Sequence, residues 1–230
     1  MPSQEQIYLT EAEQYEALVS REDYQSNILR ALDEIVNVDG LDVLDLGAGT
    51  GRLAGLLAHR VRSIRAFDLS AHMLRTTLEK LHRSELKDSL TAVADHRALP
   101  IDSQSADLMV SGWSVAYLAV WNPDSWRAEL EKWLGEMKRV LRPNSYIVLF
   151  ESLGTGNEEP VKLEHLKDYY PWLDEAGFQQ KWIRTDYKFD SVQQSLEIAG
   201  FFFGAEMAEK IKQNHWAILP ECTGVWWLRI

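Results

Sequence analysis

Short unbroken apolar runs alternate along this chain with longer stretches in which apolar positions recur every three or four residues. The runs read as buried strands and the stretches as amphipathic helices. Val43-Leu44-Asp45-Leu46 is the first run; it feeds into Gly47-Ala48-Gly49-Thr50-Gly51, and Arg52 to Arg60 then reads as a helix. Ser63-Ile64-Arg65-Ala66-Phe67 is a second run. Behind Ser70, a residue suited to capping a helix start, Met73, Leu74, Thr77, Leu78 and Leu81 share one helical face. Leu90 to Ala94 predicts a third strand, and the run ending at Ser111-Gly112-Trp113 a fourth. Trp126, Leu130, Trp133, Leu134, Met137 and Leu141 mark one face of a helix over 125–141, stopped by Arg142-Pro143-Asn144. Tyr146 to Phe150 is then a fifth strand. This alternation predicts a parallel sheet flanked by helices.

The flanks carry weaker patterns. Over 11–36, Tyr15, Leu18 and Val19 form one stripe; Tyr24, Ile28, Leu32, Ile35 and Val36 form another, predicting two helices. Tyr15 and Tyr24 are either lid residues or plain core. After Glu151, residues 154–160 read as a loop at the mouth of the sheet. Leu163 to Ala176 predicts a helix interrupted at Pro171, and Lys181 to Phe189 a strand. Ser191 starts another helix, Ala205 to Gln213 a further one, and Trp216–Leu219 with Gly224–Ile230 the last strand or hairpin. No linker, repeat or low-complexity stretch interrupts the chain, so 1–230 is expected to be one domain. Within it, 1–40 would form lid helices, 41–151 the ligand-binding core, and 152–230 a substrate-side segment that completes the sheet.

Composition narrows the function. With 230 residues and 46% hydrophobic content, the chain can bury one large core. Its net charge of −11 disfavours a nucleic-acid partner. The densest basic run, Arg60, Arg62 and Arg65, reads as a solvated face. No apolar run is long enough to span a membrane, and Met1 to Glu5 does not read as a secretion signal, so a cytoplasmic location and no membrane partner are expected. The lone Cys222 leaves no intrachain disulfide or Cys-rich zinc site. The six histidines have no ligand spacing, so no metal is expected. The nine tryptophans are too many to line one pocket, and most are expected in the core.

The candidate chemistry sits at the ends of the strands. Alternate glycines after a buried strand let a ligand lie against the main chain, as nucleotide-like ligands do. Asp68 follows the second strand, where a carboxylate can accept from two ribose hydroxyls; Ser70 already serves as the cap, which leaves Asp68 for a ligand. Asp95 follows the third strand, either as an acceptor for an exocyclic amine or as an ordinary turn aspartate.

Taken together, residues 41–151 resemble the S-adenosylmethionine-dependent methyltransferases with a Rossmann-like fold, in particular those that act on small molecules. The resemblance implies an α/β fold: a mostly parallel seven-stranded sheet, helices on both faces, and an antiparallel last strand. It implies S-adenosylmethionine as cofactor and a small-molecule acceptor as partner. Asp45, Gly47, Ala48, Gly49 and Gly51 would wrap the methionine and ribose part. Asp68 would hold the ribose hydroxyls, Leu69 and Met73 would lie against ribose or adenine, and Asp95, with His96 beside it, would reach the adenine amine. Ser111 and Trp113 would line the amino-acid end and the methyl group. The family often places a histidine just after the fourth strand; here that stretch is Gly112-Trp113-Ser114-Val115-Ala116-Tyr117. Trp113, Tyr117, Tyr169 and Tyr170 are the expected acceptor-side aromatics, suited to an apolar or cationic molecule. His96, Glu151, His165 and Tyr117 are candidate bases, and none is singled out as catalytic. Two other readings share these features: a nicotinamide-dependent oxidoreductase, which usually has GxGxxG, and a non-catalytic module of the same fold.

Overall fold

A computed structural model describes residues 12–230; the part of the expected lid region before residue 12 lies outside them. The sheet is built outwards from Asp42–Leu46 (β1), all five residues of which are buried. It pairs in parallel with Ser63–Asp68 (β2) on one side and Ala106–Gly112 (β4) on the other. Ser89–Val93 (β3) extends the sheet beyond β2, and Leu141–Thr155 (β5) beyond β4, both in parallel. The two remaining strands are Gln179–Arg184 (β6) and Glu221–Arg229 (β9), and the order is β3-β2-β1-β4-β5-β9-β6. The last strand, β9, is antiparallel to both neighbours and inserts between β5 and β6. Seven strands, mostly parallel with an antiparallel last strand, is the expected architecture.

Because successive strand side chains point to opposite faces, each central strand feeds two cores. Leu44, Leu46, Met109, Ile147 and Leu149 enter one; Val43, Leu108, Val110, Val148 and Phe150 enter the other. Trp126–Val140 (α6) covers the first face through Leu130, Trp133 and Met137, together with Tyr169–Glu175 (α7). Asn27–Asp33 (α2), Arg52–Leu57 (α3) and Ala71–Arg83 (α4) cover the second. A third cluster joins Ala12–Val19 (α1) to the C-terminal third: Leu18 packs with Tyr187, Phe189, Ala199, Met207 and Leu219. Its other elements are Val192–Phe203 (α8), Ala205–Asn214 (α9), Tyr187–Lys188 (β7) and Ile218–Leu219 (β8).

Several local expectations need correction. The Lys181–Phe189 strand is two: β6 ends at Arg184, and β7 pairs with β8 in a separate small sheet. Pro171 does not interrupt a helix. It occupies the first turn of α7, where its missing N–H costs nothing, and the break falls earlier, after the 3₁₀ turn Glu164–Leu166. Strand β5 begins at Leu141, so α6 turns directly into it. Arg142 to Ser145, including Asn144 at φ 68°, fill a register irregularity. The same strand continues to Thr155, so the loop expected from residue 154 starts later. Among the described residues, no helix is long and apolar enough to cross a membrane.

Candidate functional site

Parallel strands gather their C-terminal ends on one edge of the sheet, and the chain's chemistry collects there. A cavity of about 250 Å³ opens at this edge, lined by Gly47, Gly49, Asp68, Leu69, Met73, Asp95, His96, Trp113 and Tyr117 among others. A smaller cleft behind it is lined by Asp45, Ala48, Thr50 and Arg52, and shares Tyr15, Gly47, Gly112 and Trp113 with the larger one.

The loop after β1 is held in place by its own backbone. Gly47 N and Ala48 N both donate to Phe67 O, at 2.8 and 3.0 Å, which ties the loop to the end of β2. Gly47 has φ 66°, and a Cβ there would lie 1.9 Å from Ser114 Oγ. Only glycine lets the loop pass under the chain that follows β4. Gly51 has φ 79° and approaches the Thr77 backbone to 2.9 Å from its would-be Cβ; it does not line the cavity but seats α3 against α4.

Asp68 is less available than its sequence suggests. Its Oδ2 accepts from Gly49 N at 2.9 Å and its Oδ1 from Ser70 N at 2.7 Å. Ser70 still caps α4, its hydroxyl accepting from Met73 N at 3.3 Å. A carboxylate has about four acceptor sites, so Asp68 retains capacity toward the cavity it lines. Asp45 is buried, and its Oδ2 accepts from Ala54 N at 2.9 Å. Burial pushes its carboxyl up to about 7. Asp95 is clamped by Arg97, through the side chain (Nε to Oδ1, 2.8 Å) and the backbone N–H (2.8 Å). That pairing, with the Arg97 side chain as main cause, holds it down at about 2. Arg97 also pairs with Glu129, so it is committed to the wall. His96 is 8% exposed, and burial lowers its pKa below the usual 6.5, which keeps the ring neutral near neutral pH.

The aromatic wall comes from the segment after β4. Trp113 sits at φ 52°, a strained conformation for a bulky residue, held by its N–H to Phe150 O at 2.7 Å. Arg52 Cζ lies 3.9 Å from its ring centroid. Tyr117, on Ala116–Val120 (α5), stacks on Trp121 with centroids 4.8 Å apart. Tyr15 on α1 also lines the cavity, whereas Tyr24 is exposed and lies under Lys188. Trp121, Leu118 and Asn122 complete the outer rim. The sequence reading missed them, although Trp121 stands four residues after Tyr117 and so shares its helical face.

Besides Gly51, three expected site residues fall elsewhere. Ser111 is 1% exposed and donates its hydroxyl to Leu46 O at 2.7 Å, a tie between β4 and β1. Tyr169 and Tyr170 belong to the core between α7 and the sheet rather than to the cavity wall. Tyr169 donates to Glu151 Oε1 at 3.1 Å, and Tyr170 donates to Ser152 O at 2.9 Å while stacking on Trp226. Their rings point into the layer that alternation of β5 and β9 makes apolar. Of the candidate bases, His165 lies on the exposed 3₁₀ turn, and Glu151 is buried outside the cavity lining, accepting also from Ala116 N at 3.1 Å. His96 and Tyr117 are the two that line the cavity.

Glu151 carries a stability prediction. Burial raises its carboxyl from the ordinary 4.5 to about 8, so the folded protein keeps a proton that the unfolded chain releases. The resulting stabilisation is complete below 4.5 and is lost as pH rises through about 8. Asp45 and Glu221, raised to about 7 and about 8 by burial, act in the same direction. Glu151→Gln keeps the shape and cannot ionise. It is expected to flatten part of the fall in melting temperature between about pH 5 and about pH 8, and an unchanged slope in thermal denaturation would show that Glu151 ionises normally in the fold.

Comparison with known proteins agrees with this geometry. A family model described as a methyltransferase domain matches residues 44–149. The chain is 28% identical over 176 residues to a malonyl-[acyl-carrier protein] O-methyltransferase of Marinomonas sp. (strain MWYL1), covering 75% of this chain and 59% of the relative. It is 33% identical over 161 residues to the protein of the same description from Methylococcus capsulatus, covering 69% of this chain and 51% of the relative. The chain thus spans little more than half the length of these relatives. A crystal structure of a SAM-dependent methyltransferase from Aquifex aeolicus superposes with a TM-score of 0.58 at 17% identity, covering 88% of this chain and 89% of that one.

Proposed function

We propose that this protein transfers a methyl group from S-adenosylmethionine to a small-molecule acceptor, a reading supported by the methyltransferase-domain model that matches residues 44–149 and by the fold shared with a SAM-dependent methyltransferase of Aquifex aeolicus. The observation that carries the reading is the convergence of the glycine loop, the Asp68 carboxylate and an aromatic wall on one cavity of about 250 Å³.

The residues present fit the donor. Asp68 keeps acceptor capacity for ribose hydroxyls, and Gly47 and Gly49 leave the main chain open to close approach. Leu69 and Met73 offer apolar surface to a flat base and the clamped Asp95 lines the same cavity, whereas His96 Cε1 lies 3.2 Å from the would-be Cβ of Gly47, beside the glycine loop. Two buried polar atoms in the inner cleft, Thr50 Oγ1 and Arg52 Nη2, have no protein partner, as expected of a surface built to meet a ligand.

When bound, the donor supplies a methyl group on a positively charged sulfur, open to in-line displacement. The protein's part is alignment, a contribution of ~7 kcal/mol or more for well-placed reactants. Trp113 and Tyr117 exclude water and position the acceptor, and the Tyr117–Trp121 stack presents a flat, apolar face to it. Where the acceptor atom must lose a proton, His96, kept neutral by burial, is the group at the cavity wall able to take it.

The test is calorimetric titration with S-adenosylhomocysteine, using NAD as the control. The expected result is micromolar binding of the first and none of the second. NAD binding alone would replace this reading with an oxidoreductase, and silence from both with a non-catalytic module.

A further inference from the structure

Trp121, at the end of α5, lines the cavity and is 53% exposed, although an indole is normally well buried. Its place is fixed nonetheless. Its backbone N–H donates to Tyr117 O at 2.9 Å, and its ring stacks on Tyr117 with planes 27° apart. Asn122 Nδ2 donates to Leu118 O at 2.9 Å, which closes the turn behind it. A flat apolar surface is thus held ready at the rim. Covering it with a flat partner is favourable through the area removed from water, and ring stacking adds to that gain.

The charges beside this surface run one way. Among the described residues, Arg97 is the one arginine or lysine lining the cavity. Its guanidinium is fully used: Nε and Nη2 donate to Asp95 Oδ1 and Oδ2 at 2.8 and 2.5 Å, and Nη1 donates to Glu129. Arg52 belongs to the inner cleft, where Glu22 holds it. Burial keeps His96 neutral near neutral pH, and Asp68 adds a further carboxylate to the lining. Residues 1–11 contain no lysine or arginine. An anionic group entering here would lose its water without meeting a free cation, and it would face carboxylates instead.

We propose that the methyl acceptor is a flat aromatic molecule, uncharged or cationic, which Trp121 selects by stacking while the carboxylates around Arg97 turn anions away. The assignment rests on the methyl-donor reading above and adds to it the chemical class of the acceptor.

The probes are tryptophol, tryptamine and indole-3-acetate, which share one ring and differ in charge, with cyclohexylethylamine as a cation without an aromatic ring. Each is titrated by calorimetry into the protein saturated with S-adenosylhomocysteine. Tryptophol and tryptamine are expected to bind at least about 10-fold more tightly than the other two. Trp121→Ala is expected to weaken both about 10-fold, and Trp121→Phe to restore most of that loss, with S-adenosylhomocysteine affinity at the parental value. Both changes fall on a half-exposed side chain, so the fold should survive them. Glu129→Gln removes one carboxylate and frees Arg97 Nη1, and it is expected to strengthen indole-3-acetate binding several-fold. No binding of any indole, equal binding of cyclohexylethylamine or indole-3-acetate, or no gain in Glu129→Gln would overturn the acceptor class and leave the methyl-donor reading standing. Loss of S-adenosylhomocysteine affinity in Trp121→Ala would overturn it too, by giving the ring to the donor's own base. A parent protein that does not bind S-adenosylhomocysteine would instead remove the methyl-donor reading, and this assignment with it.

Discussion

Asp68→Ala is expected to weaken S-adenosylhomocysteine binding by ~100-fold or more, the largest functional effect of any single change considered. Two hydrogen bonds from ribose hydroxyls to a carboxylate are worth about 1.5–3 kcal/mol each, so losing both gives at least that factor. The same substitution removes the acceptor for Gly49 N and Ser70 N, which loosens the loop and the start of α4 together. Asp68→Asn separates the contributions. It keeps the shape, but its NH₂ must face one of two backbone donors, so the loop is disturbed even where one acceptor survives. Calorimetry with thermal denaturation on each variant distinguishes lost contact from lost fold. A folded Asp68→Ala protein with parental affinity would end the assignment of Asp68 to the ribose.

Gly47→Ala is expected to be the most destabilising single-methyl change in the site. A positive φ costs an L-residue about 1–2 kcal/mol. The new Cβ would also lie 1.9 Å from Ser114 Oγ and 2.3 Å from Ser114 Cβ, and overpacking of that kind costs about 1–3 kcal/mol more. Ser114 cannot yield easily. It follows Trp113, already strained at φ 52°, and its backbone carbonyl accepts from Tyr117 N at 3.1 Å. The expected loss of ~3 kcal/mol corresponds to a fall in melting temperature of about 6–12 °C for a domain of this size, with ligand affinity lost as Ser114 pushes Tyr117 outwards. Gly40→Ala is the control. Gly40 also has positive φ, 74°, but nothing lies within 4 Å of its would-be Cβ, so only the strain should register and ligand binding should be untouched. Equal effects at both positions would show that strain alone decides the outcome at Gly47.

Much of the site is legible because its geometry is local. The strand, glycine loop and helix from Val43 to Leu57 are contiguous, and the same is true of Phe67-Asp68 and of Asp95-His96. A strand end followed by a turn places its side chains at the sheet edge whatever the rest of the chain does. The aromatics were not legible in this way. Tyr169 and Tyr170 look as exposed to function as Trp113 and Tyr117, but they sit on a helix whose inner face is set by β5 and β9. Tyr15 was one of two lid possibilities, and only the packing of α1 against α8 brings it to the cavity while Tyr24 stays outside.

By itself the amino-acid sequence determined the succession of the five parallel strands from β1 to β5, the parallel core, and the loop chemistry at the ends of β1, β2 and β3. These follow from hydrophobic period, glycine placement and capping, all of which act within a few residues. The tertiary structure alone decided that β9 inserts between β5 and β6, that Ser111 turns inward, and that Glu22 reaches Arg52 thirty positions away. Such pairings are non-local. Strand order is chosen by which edges remain unpaired after collapse, and a buried charge finds its partner only where separate elements come together, so no pattern along the chain records them.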